Sequence, residues 1–202
     1  MSNSMLLDGF MPDFDATRIE QRVIDARPAA VYEAAIRVDL VDVMRRSRIV
    51  RGLFAGRAAG ERLSAIAHRR PVAPHDVPVM RLAELRNAGN WIRLAERPPN
   101  EFAFGAIGRF WSGETIWEEI ASADFPSFDK PGYAKIAANL SLRPYGNDRT
   151  LLSYEARTQA TDDAARRAFL RYWTFASLGA GVVMRAALKL IADEVAESGA
   201  GM

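Results

Sequence analysis

What most constrains this chain is a change of hydrophobic period at Thr161. Between Glu101 and Ala160 the apolar residues favour every second position, the spacing of half-buried strands. Ile136, Ala138, Leu140 and Leu142 share one face of a strand over Tyr133–Arg143. Leu152, Tyr154, Ala156 and Thr158 share one face of its partner over Thr150–Ala160, and Gly146-Asn147 is the turn between them. Matching the apolar faces pairs Leu142 with Leu152 and Leu140 with Tyr154. The same register sets Asn139 opposite Glu155 on the other face, with Arg157 two residues along. After Thr161 the period becomes helical. Phe169, Tyr172, Trp173, Ala176, Ala180, Val183, Ala187, Leu190 and Ile191 make one stripe of a helix running to about Glu197. Thr161 is the expected N-cap, and Asp162 and Asp163 suit the positive helix end. Two glycines in Ser177-Leu-Gly-Ala-Gly181 are expected to kink this helix.

Upstream, Arg18–Asp25 reads as a first strand. Pro28 stands where a helix begins, and Ala29–Arg37 continues it with good helix formers. Asp39 can cap a second helix to about Ser47. Glu61–Arg69 has a helical pattern. Pro71, Pro74 and Pro78 mark a loop around His75, and Val79–Asn87 is a short helix closed by Gly89, or else a strand. Trp91–Glu96 and Glu101–Ile107 form a hairpin about Pro98-Pro99-Asn100, and Thr115–Ile120 is a third strand. Ala123–Lys130 is a loop or one helical turn. The expected class is α+β: a curved antiparallel sheet wrapped around a long C-terminal helix, with a helix pair after the first strand. Within the 202 residues, 18–197 form one domain, 1–17 an N-terminal extension and 198–202 a frayed tail.

Composition removes several functions. There is no cysteine, so no disulfide and no thiolate chemistry. Two histidines in separate segments, His68 and His75, do not make a metal centre, and neither a metal nor a cofactor is expected. A net charge of +2 without a clustered basic run does not point to nucleic acid. Met1–Asp15 lacks the basic and apolar regions of a secretory signal. Phe175–Ala192 is about as long as a membrane span, but Arg185 and Lys189 interrupt it. It therefore reads as a buried amphipathic helix in a cytoplasmic protein without integral membrane association, with a helix lying in the membrane surface as the alternative.

The segment Ile24-Asp-Ala-Arg-Pro-Ala-Ala-Val-Tyr-Glu-Ala-Ala35, the Tyr133–Tyr154 hairpin and the Thr161–Glu197 helix resemble the START-like, helix-grip superfamily (SRPBCC), which includes the polyketide cyclase/dehydrase and lipid-transfer group. The resemblance spans about Arg18 to Glu197, although Gly52–Asn87 is longer and more helical than that superfamily usually has there. It implies a cavity between sheet and helix for a small apolar or amphipathic ligand, lipid- or polyketide-like. It also leaves room for cyclisation or dehydration on the same fold, with proton transfer by Glu155 or Tyr154. A ligand-free interaction module is the third possibility, and the oligomeric state is left open.

The candidate pocket residues are Phe104, Arg109, Trp111, Asn139, Tyr154, Glu155, Arg157, Phe169, Tyr172 and Trp173. Arg109, Phe110 and Trp111 follow Gly105 and Gly108, which allow close backbone approach. Arg109 could hold a ligand carboxylate or phosphate with Trp111 as a wall; a solvated arginine beside a core tryptophan is the competing reading. Glu155 and Arg157 share a strand face near Asn139, either as a pocket pair or as an exposed cross-strand ion pair. Phe169, Tyr172 and Trp173 either fill the core or line the cavity. The Arg45, Arg46, Arg48 and Arg51 cluster reads as a solvated face, and Asp124 and Asp129 as turn residues.

Overall fold

A computed structural model describes residues 4–39, 91–111 and 115–200. The elements are α1 (Leu6–Phe10), β1 (Ala16–Ile24), α2 (Pro28–Arg37), β2 (Ile92–Arg97), β3 (Glu101–Arg109), β4 (Ile116–Glu118), β5 (Ala134–Pro144), β6 (Thr150–Ala160) and α3 (Asp163–Ala200). All strand pairings are antiparallel in the order β1-β6-β5-β3-β2, and β4 continues the outer edge of β3 beyond β2. The class is α+β as expected: an antiparallel sheet of six strands, a helix after β1, and a long C-terminal helix against the sheet. The second helix from Asp39, the patterns over 61–69 and 79–87, both histidines and the Arg45–Arg51 cluster lie outside the described residues.

The β5–β6 register matches the sequence reading residue for residue: Leu142 faces Leu152, Leu140 faces Tyr154 and Asn139 faces Glu155. The turn is one residue longer than Gly146-Asn147, because Gly146 (φ 65°) and Asp148 (φ 53°) both take the left-handed conformation. Strand period then sorts the chemistry. Phe102, Phe104, Ala138, Leu140, Leu142 and Leu152 face α3, whose Ala187, Leu188, Leu190 and Ile191 pack with them beside Val31, Tyr32, Ala34 and Ala35 of α2. Burying each of the larger side chains contributes roughly 1.5–3 kcal/mol. Pro28 at the first turn of α2 loses no hydrogen bond there.

The opposite face is also covered. Leu7 and Met11 pack with Leu94, Ala103, Ile107, Phe125, Tyr133 and Ala137. The N-terminal segment therefore closes a second apolar layer rather than trailing from the domain. This explains why β3 is buried on both faces from Glu101 to Gly108.

Three details of α3 differ from expectation. Its N-cap is Asp162, whose Oδ1 accepts from the backbone N–H groups of Ala164 and Ala165, both at 2.8 Å. Thr161 is occupied elsewhere, bonding both the N–H and the carbonyl of Tyr133. The helix continues through 198–200, and no break interrupts it at Ser177–Gly181. Gly181 serves close approach instead, since a Cβ there would collide with the Arg18 guanidinium and come within 2.8 Å of Glu20 Oε1.

Candidate functional site

The face of the sheet toward α3 carries a connected run of aromatic rings. Tyr154 meets Phe104 with centroids 6.1 Å apart, and Phe104 meets Trp91 at 5.6 Å. Trp91 meets Trp117 at 6.2 Å, and Trp117 meets Phe110 at 6.3 Å. Phe110 then touches Trp111 (5.3 Å), Phe169 (5.9 Å) and Tyr172 (6.1 Å), and Phe169 stacks on Trp173 at 5.7 Å. Such tilted and edge-on contacts each contribute about 0.5–1.5 kcal/mol beyond burial. All four tryptophans of the chain belong to this run.

Gly108 explains its geometry. A Cβ there would lie 2.7 Å from the Trp117 ring, so the bare backbone is what lets that ring lie across β3. Gly105 does the same on the other face, where a Cβ would meet the Ile136 carbonyl at 2.8 Å and Phe125 at 2.9 Å.

Tyr154 is the polar end of the run. Burial pushes its phenol up to about 12, and no hydrogen bond or charge among its neighbours contributes. Its side chain nevertheless keeps part of its surface accessible, in the middle of β6 and facing α3. Tyr32 makes the contrast: its phenol is also raised to about 12, first by burial, but then by the Glu96 carboxylate with which it hydrogen-bonds. Tyr154 has no such partner among the described residues.

Beside Tyr154 in the register stands Glu20 on the edge strand β1. Its Oε1 accepts from Arg18 Nε at 2.9 Å and from Arg185 Nη1 at 2.7 Å, which ties β1 to α3. Burial raises the Glu20 pKa, but the bonds and charges of Arg18 and Arg185 outweigh it and hold the carboxyl below its ordinary value.

The ten residues singled out in the sequence do not converge. Phe104, Trp111, Tyr154, Phe169, Tyr172 and Trp173 belong to the aromatic run. Arg109, Asn139, Glu155 and Arg157 belong to the opposite face. There Arg157 donates from Nε to Glu155 (2.7 Å) and from Nη1 to the Met11 carbonyl (2.9 Å), and it pairs with Asp8 at 3.0 Å. Glu101 accepts from Asn139 Nδ2 (2.6 Å) and from the Leu6 N–H (2.8 Å). These groups clamp the N-terminal segment onto the sheet. Arg109 lies over the Tyr133 ring at 5.5 Å, and its buried Nε has no hydrogen-bond partner among the described residues. Two clefts of about 190 and 130 Å³ flank Met5 on this side, and Ser141 and Arg143 line both.

Sequence reading missed Trp91, Phe110 and Trp117 as members of the run. Their separation along the chain hides that they meet, and the only local signal was the pair Gly105 and Gly108. Among the described residues, no group of three or more metal-ligating side chains could hold a metal ion.

No family model matches the chain, and no curated protein matches it. Solved structures similar to it include a conserved protein from Geobacillus kaustophilus, 11% identical, covering 91% of this chain and 97% of that one with a TM-score of 0.40. A protein from Arthrobacter aurescens is 12% identical, covers 90% and 86%, and has a TM-score of 0.38. The Zhui aromatase/cyclase from Streptomyces sp. R1128 is 12% identical, covers 86% and 94%, and has a TM-score of 0.27.

Proposed function

We propose that this protein binds a small apolar or amphipathic ligand between the sheet and α3, against the aromatic run, with the Tyr154 hydroxyl as its polar contact. The observation that carries this reading is Tyr154 itself: a desolvated phenol without a hydrogen-bond partner among the described residues, on the central hairpin, facing the long helix. A buried hydroxyl with no hydrogen bond costs free energy, so a chain folding for stability alone favours phenylalanine there. A ligand that supplies an acceptor removes the cost. Apolar walls with few polar groups are the usual make-up of such sites.

Two details speak against proton abstraction by Tyr154 or Glu155. A phenol raised to about 12 stays protonated near neutrality, so it donates a hydrogen bond and does not act as a base. Glu155, the other candidate for proton transfer, points to the far face and is held by Arg157. Native mass spectrometry of protein purified without detergent from its own cells tests the reading. One non-covalently held small molecule per chain is expected, released on unfolding. Bare polypeptide, together with no retained adduct after incubation with 2-naphthol, overturns it.

A further inference from the structure

The outer surface of α3 carries a feature that neither the core nor the aromatic run uses. Phe175 is 82% exposed and Leu178 is 71% exposed, in the middle of a helix whose other side is packed on the sheet. Arg171, Phe175 and Leu178 follow i, i+4 and i+7 spacing and so share one face, which ends where Val182 turns back onto the core. Exposed leucines are ordinary; an exposed phenylalanine and leucine one turn apart on a regular helix form a patch.

Charge around the patch has one sign. Between Ala164 and Ala192 the helix contains Arg166, Arg167, Arg171, Arg185 and Lys189 and no acidic residue. Arg171 and Arg167 are exposed one and two turns before Phe175; neither forms a salt bridge with a described carboxylate, although the Arg167 charge helps to lower the Asp162 pKa. Arg185 and Lys189 lie beyond Leu178; they are partly neutralised by Glu20 and Asp193. Arg166 bonds to Asp15 and Asp163. Among the described residues, Arg171, one turn before Phe175, is therefore the basic group on this stretch with no carboxylate acting on it, and Arg167 is offset only at longer range by Asp162. The helix is long and apolar enough by composition to cross a bilayer, with a mean hydropathy of 1.6 over its most apolar window. Its opposite side, however, packs Phe169, Met184, Leu188 and Ile191 into the protein. A helix packed into the domain along one side is not free to span a bilayer, and only its outer face is open to a partner.

We infer that the Phe175–Leu178 face docks on an anionic lipid bilayer, with the two side chains entering the headgroup–acyl boundary and Arg167 and Arg171 meeting lipid phosphates. The charge complementarity selects this occupant: a purely apolar partner has no use for the exposed Arg167 and Arg171, which form no salt bridge with a described residue, whereas an anionic bilayer uses both parts. This inference does not depend on the reading of Tyr154.

Co-sedimentation of the full chain with vesicles tests it. Binding to phosphatidylcholine vesicles containing phosphatidylglycerol is expected, with little binding to phosphatidylcholine alone and loss of binding in high salt. Phe175→Ser with Leu178→Ser should weaken partitioning by about tenfold or more, because both buried contacts are lost. Arg167→Gln with Arg171→Gln should weaken it on anionic vesicles only. All four residues are exposed, so circular dichroism and the urea midpoint should match the parent protein. Three results overturn the inference: no binding to anionic vesicles, unchanged binding by the Phe175/Leu178 variant, or a dimer in sedimentation velocity that this variant dissolves.

Discussion

Replacing Tyr154 with phenylalanine isolates one oxygen atom. In most proteins this substitution at a buried tyrosine costs stability, because the hydroxyl has a partner that is left unpaired. Here the described residues supply no partner: desolvation is what acts on the phenol, and its ring neighbours are Phe104 and the apolar layer beneath α3. Burying an unsatisfied hydroxyl costs about 1–3 kcal/mol on mutational scales, and any water reaching the part-accessible side chain reduces this. Tyr154→Phe should therefore leave the ligand-free protein unchanged or stabilise it by up to about 1 kcal/mol, a rise in Tm of roughly 2–4 °C for a chain of this size. Urea unfolding of ligand-free protein, followed by circular dichroism, measures it. The same variant should lose affinity for ligands with a hydrogen-bond acceptor by about 0.5–1.5 kcal/mol and keep its affinity for hydrocarbons. A loss of more than about 1 kcal/mol of stability would refute the reasoning, because it would mean that the hydroxyl already has a partner in the folded chain.

Arg157→Ala should destabilise by about 3–5 kcal/mol, since it leaves the buried Glu155 carboxylate unpaired, and it should expose the Asp8–Met11 segment to limited proteolysis; a stable, protease-resistant variant would contradict the clamp. Gly105→Ala should cost about 1–3 kcal/mol in urea unfolding, because the new methyl meets the Ile136 carbonyl and the Phe125 ring at under 3 Å. Glu20 has a folded-state pKa below its unfolded value, so its contribution is present above the usual carboxylate range and is lost as pH falls through and below it. Glu20→Gln should accordingly lower the urea midpoint at pH 7, with the gap to the parent protein closing toward pH 3; a gap independent of pH would remove the ionic role.

The hairpin and the long helix were readable because each is long enough to show its period, and because Gly146-Asn147 punctuates the turn. Pro28 announced α2 in the same direct way. The N-terminal layer was not readable. A helix of five residues shows no period, and Leu7 and Met11 acquire meaning only once β3 is seen to be buried on both faces. Alternation alone separates Tyr154 from Glu155, so one pocket using both was never compatible with a regular strand. What the sequence left open was which face α3 would cover. The aromatic run was half visible: Phe169, Tyr172 and Trp173 share a helix stripe, while Trp91, Phe110 and Trp117 come together only through the β2–β3–β4 edge. The Gly181 position was noticed for the right residue and the wrong reason. Its role is to admit the Arg18–Glu20 pair beneath an unbroken helix.

The central claim, that an apolar ligand binds against the aromatic run, has a built-in reporter. Trp91, Trp111, Trp117 and Trp173 are the only tryptophans in the chain, and all belong to the run. A titration of the protein with N-phenyl-1-naphthylamine, exciting tryptophan and recording energy transfer to the probe, therefore reads the site directly. The account predicts saturable transfer at one probe per chain, reversed by 2-naphthol and weakened by Trp91→Ala. Transfer that rises without saturating, or that is indifferent to Trp91→Ala in a variant shown to be folded, would contradict it.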